Sequence, residues 1–161
     1  MNNQILLKCS IALIACFTSI LSVVSTIEGY WRSIDDRTGE QLTIIEIKKA
    51  ADNTYRGKIV YIYPNAQGAI VTHCVNCPPP YTGKPRLGLE VLTGLVEDPN
   101  KANSFINGRI LESKTGKVYK GKAQLSADGK HLNMRGYVGI SALGRNTVWI
   151  CSDSANPYVF L

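Results

Sequence analysis

The 161-residue chain carries 18 lysines and arginines against 12 acidic residues, a net charge of +6, with two histidines and five cysteines. That length suits one domain with a sizeable core. The basic residues are scattered at alternating positions and form no stripe with interleaved aromatics, so no nucleic-acid partner is expected and the charge reads as a solvated face.

In chain order, residues 1–25 read as an export signal. Lys8 is the only charge before Glu28, and the apolar run from Cys9 to Val24 ends among the small residues Ser22 and Ser25. The run falls short of the roughly 20 apolar residues of a membrane-spanning helix, and no second such run follows, so no transmembrane segment is expected after cleavage. Cleavage near Ser25 would leave residues 26–161 as one exported domain, periplasmic or secreted. Leu13-Ile14-Ala15-Cys16 has the form of a lipoprotein box, which would anchor the chain through Cys16. Against that alternative, the apolar run continues through Phe17, Ile20, Leu21, Val23 and Val24, whereas a lipoprotein turns polar soon after its cysteine.

Beyond Thr26, short runs of alternating apolar and polar residues are separated by glycine or Asx turns, the pattern of an all-β chain. Strands are expected from Ile27 to Ser33, Leu42 to Lys48, Thr54 to Tyr63, Glu90 to Val96, Ser104 to Leu111, Lys117 to Leu125, His131 to Val138 and Thr147 to Cys151. Alternation puts Tyr55, Gly57, Ile59, Tyr61 and Tyr63 on one face and Arg56 and Lys58 on the other. It likewise puts Tyr119, Gly121, Ala123 and Leu125 opposite Lys120, Lys122 and Gln124. The turns at Asp35–Gly39, Glu112–Gly116 and Ala127–Gly129 contain residues that tolerate left-handed backbone. About eight hairpin-linked strands in a short chain predict a single antiparallel meander closed into a barrel, since closure removes the exposed edges. The proline- and glycine-rich stretch from Pro64 to Arg86 is expected to be a long ordered or semi-ordered loop, of the kind that is usually functional or mobile.

The ordered set of motifs resembles one bacterial family, domain of unknown function 2147. Gly29-Tyr30-Trp31 with Asp35-Asp36 and Thr38-Gly39 is similar to its opening, Tyr55 to Val60 to its Y-x-G-x-I-V strand, and Cys74-Val75-Asn76-Cys77 to its C-x-x-C loop. Asn107 to Leu111, Gly116 to Lys122 and the block Leu132 to Trp149 follow in the family's order. The resemblance implies a lipocalin-like barrel, in which a basic side chain covers the tryptophan of the first strand. Two departures stand out: Glu112-Ser113 replaces the usual Asp-Pro, and Cys151 occupies a position more often basic.

The candidate ligand-binding residues are Trp31, Arg135, Tyr137, Arg145 and Trp149. A structural role is the stronger reading, with Arg135 or Arg145 stacked on Trp31 for about 0.5–2 kcal/mol. An arginine turned into the cavity would instead hold an anionic group. Alternation puts Asn133, Arg135 and Tyr137 opposite Leu132, Met134 and Gly136, without saying which set faces in. Cys74 and Cys77 are expected to form a disulfide in an exported protein. His73 beside them leaves too few ligands for structural zinc, and the prolines that follow do not suit a thioredoxin-type helix. No metal or cofactor is expected. Cys151 is left over, expected as a buried thiol on the last strand, with pairing to Cys74, Cys77 or a second chain as the alternative. Gly139 to Gly144 misses the G-x-S-x-G elbow, so no catalytic residue is assigned. The functional expectation is a non-enzymatic barrel, envelope-associated or holding a small amphipathic or anionic ligand. An enzyme acting on an envelope component and a protein-interaction module are the alternatives.

Overall fold

Alternating side chains become the two surfaces of one closed wall. The structure, a computed structural model, describes residues 26–158. The expected signal segment, Ser25 and Cys16 lie outside the described residues. The eight strands are β1 (Gly29–Ile34), β2 (Gln41–Lys49), β3 (Tyr55–Ile62), β4 (Glu90–Glu97), β5 (Ser104–Glu112), β6 (Lys117–Leu125), β7 (His131–Tyr137) and β8 (Arg145–Ser152). Each pairs antiparallel with the next, and β8 returns to β1 to close the barrel. These are the strands expected from the alternation, with ends shifted by no more than two residues.

One end of the barrel is packed shut. Ile27, Trp31, Ile47, Tyr55, Leu95, Phe105, Leu125 and Leu132 are buried there, and each such apolar side chain stabilises the fold by roughly 1.5–3 kcal/mol. Tyr55 meets Phe105 edge to face at 5.4 Å between ring centroids. Trp31 donates from Nε1 to the carbonyl of Ile27 at 2.8 Å, which ties the incoming chain to the barrel floor. Gly108 and Gly121 permit this density, because a Cβ at either would press to within 2.7 or 2.8 Å of Leu95 or Ile110.

A bulge changes the expected face of β3. Ile45 pairs with Ile59 and Ile44 with Tyr61, so Val60 is the extra residue. The expectation that Tyr61 shares one face with Tyr55, Gly57 and Ile59 is therefore corrected. Ile62 joins the core instead, while Tyr61 stacks edge-on with Tyr63 and Tyr158, at 5.0 and 6.2 Å.

The connection from β3 to β4 is ordered by its own backbone. Arg86 N–H donates to Thr72 at 2.7 Å and Cys74 N–H to Lys84 at 2.9 Å, around a bridge between His73 and Pro85. This loop leans on the β5–β6 turn. Gly116 has φ +78°, and a Cβ there would fall 1.8 Å from the carbonyl oxygen of Asn76, so only glycine fits.

Candidate functional site

The β1–β2 turn, the β3–β4 loop, the β5–β6 turn and the β7–β8 connection surround the other end of the barrel, which is open. Inward residues shrink toward this end. Along β1 Trp31 gives way to Ser33, along β2 Ile47 and Ile45 give way to Thr43, along β7 Met134 gives way to Gly136, and along β8 Trp149 gives way to Thr147. The space these smaller residues leave is a cavity of about 270 Å³. Ile45, Ile59, Val91, Leu111 and Trp149 form its apolar wall, and Asp35, Asp36, Glu40 and Arg145 stand at its rim.

Most polar groups around the cavity are engaged with the protein. Ser33 Oγ and Thr43 Oγ1 share a hydrogen bond of 2.8 Å, and Thr147 Oγ1 donates to the carbonyl of Ile34 at 2.9 Å. Arg145 grips Asp36 with both Nε and Nη2, and this holds the Asp36 carboxyl below its usual range. Asp35 accepts from the backbone N–H of Arg37 and Thr38, which holds its carboxyl low as well. Glu112 accepts from Thr115 Oγ1 at 2.6 Å.

Tyr63 Oη, also in the lining, has no partner among the described residues, and Arg86 is held by neutral oxygens alone. Arg86 is only 7% exposed, yet it lines the cavity. Its Nε donates to Ser113 Oγ at 3.0 Å and its Nη1 to the carbonyl of Val71 at 2.8 Å. Among the described residues no carboxylate pairs with it. Burial pushes the guanidinium below its ordinary value, and no neighbouring acid offsets the effect. Sequence reasoning missed this residue, because Arg86 has no motif around it beyond a place at the end of a long loop.

The candidates named from sequence separate. Trp149 faces inward, 5% exposed, and lines the cavity. Trp31 also faces inward but belongs to the packed floor, outside the cavity lining. Neither arginine covers it, which corrects the expected stacking: β7 turns Leu132 and Met134 inward, so Arg135 and Tyr137 project outside. Arg135 instead clamps the β7–β8 connection, donating to the carbonyls of Ser141 and Ala142 at 2.8 and 3.0 Å and to Asn146 Oδ1 at 2.7 Å. Tyr137 lies in an outer groove beside Arg109 and Lys120. Cys74 and Cys77 lie within disulfide distance, their Cα atoms 5.4 Å apart. Cys151 is on the last strand as expected, but it is exposed, because it is the penultimate residue of β8 at the barrel's end. That position also separates it from Cys74 and Cys77, which sit at the open end.

The fold is similar to that of protein HP1028 from the human pathogen Helicobacter pylori, described as belonging to the lipocalin family. The TM-score is 0.66 at 15% sequence identity, over 80% of this chain and 84% of that one. Among curated proteins none matches this chain. Residues 29–150, which span the barrel from the start of β1 to near the end of β8, match the family model described as uncharacterized protein conserved in bacteria (domain of unknown function 2147), and the chain belongs to that family.

Proposed function

We propose that this protein is an exported, non-enzymatic binding module that takes a small amphipathic ligand through the open end of its barrel. The observation that carries the reading is the cavity of about 270 Å³, apolar along Ile45, Ile59, Val91 and Trp149 and polar at its rim. The lipocalin-like fold is compatible with such a role. The ionisable groups around the cavity support binding over catalysis. Asp36 is committed to Arg145 and Asp35 to its own turn, and neither histidine lines the cavity. Export is supported by the apolar leader and by the Cys74–Cys77 pair, which suits an oxidising compartment.

A second reading, contact with a partner through the rim, draws on Val75, Leu87, Ile140 and Leu143, which are exposed on loops around the mouth.

Native mass spectrometry of the protein purified from its own host tests the first reading twice over. The chain mass is expected to begin after Ser25 and not at a lipidated Cys16. A small molecule is expected to accompany the folded protein and to leave on denaturation. A chain that keeps its leader overturns the export reading, and repeated absence of any small molecule overturns the binding reading.

A further inference from the structure

Resting on the binding reading above, we propose that Arg86 is the cavity's anion site, holding the oxyanion head group of the ligand, a carboxylate or a phosphate, while the apolar tail lies against Ile45, Ile59, Val91 and Trp149. A guanidinium offers five N–H donors. Protein oxygens take two of them, at Ser113 and Val71, and leave the remaining Nη1 and Nη2 donors for a ligand.

A buried charge without a counter-ion is costly, and proteins keep one mainly where something else completes it. Of the acids at the mouth, Asp36 is held by Arg145, Asp35 by its turn and Glu112 by Thr115, and Glu40 at the rim makes no ion pair with Arg86. The planar fork of arginine matches the paired oxygens of a carboxylate or phosphate. Ser113 is the positioning residue: its hydroxyl accepts from Nε and so holds one edge of the guanidinium, leaving Nη2 without a protein partner.

Calorimetric titration of the purified protein with decanoate, decyl phosphate and decanol tests the assignment. At least one of the two anions is expected to bind about tenfold tighter than decanol, as a charge-assisted hydrogen bond implies. Comparing the two anions shows which oxyanion fits. Arg86→Met, which keeps an apolar stem, is expected to bind decanol within about twofold of the native protein and to lose the preference for the anion. Ser113→Ala is expected to reduce that preference severalfold without changing decanol binding, and it serves if Arg86→Met does not fold. Equal binding of all three probes by the native protein, or an anion preference that survives Arg86→Met, overturns the assignment and leaves the binding module standing. Binding of none of the three overturns both.

Discussion

Asp36 and Arg145 are 109 positions apart in the chain, yet their ion pair joins the β1–β2 turn to the start of β8 across the rim of the cavity. The guanidinium lowers the Asp36 pKa below its value in the unfolded chain. The pair's contribution to stability is therefore complete above the unfolded pKa and is lost as pH falls through the lowered one. Both side chains are partly exposed, so Asp36→Asn is expected to cost no more than about 1 kcal/mol at neutral pH. The difference from the native protein should vanish well below the carboxylate range. Urea unfolding of both proteins at the two pH values measures it, and a difference that persists in acid would assign the effect to something other than the ion pair. At this scale the sequence showed which residues could carry chemistry but not their partners. Trp149 was legible because it sits in a strong motif. Arg86 was not, because its defining property is that no acid lies beside it, and that is set by residues distant in sequence.

At the scale of elements, the period-two alternation made all eight strands legible, and the glycine and Asx turns marked most of their joins. The face of each strand was harder. The bulge at Val60 reverses the remainder of β3 and moves Tyr61 out of the interior, and one extra residue leaves no mark on local propensity. The β3–β4 loop was legible as a long connection, but its order comes from pairing between Thr72–Cys74 and Lys84–Arg86 and from its contact with Gly116. Cys74 and Cys77 close only a small ring within it. Replacing both with serine is expected to cost at most about 2 kcal/mol. It should raise amide exchange in the loop while the barrel strands remain protected. Loss of protection throughout the strands would show that the loop supports the barrel itself.

For the whole molecule, closure depends on what fills the two ends. Ile27 is fully buried at the floor and accepts from Trp31, although it precedes β1. A chain beginning at Thr26 keeps this closure. A chain beginning at Gly29 should lose about 3 kcal/mol or more, because it vacates a core site and leaves the indole N–H unpaired. Equal stability of the two would mean that Ile27 does not close the floor.

Strand number, strand order and the existence of a closed wall were readable along the chain, because alternation and turn chemistry are local properties and a meander pairs each strand with its neighbour in sequence. Which end stays open, which arginines face solvent and which one is buried without an acid arise from the register of eight strands and the docking of one loop on a turn. Those relations join residues distant in the chain, and no local pattern encodes them.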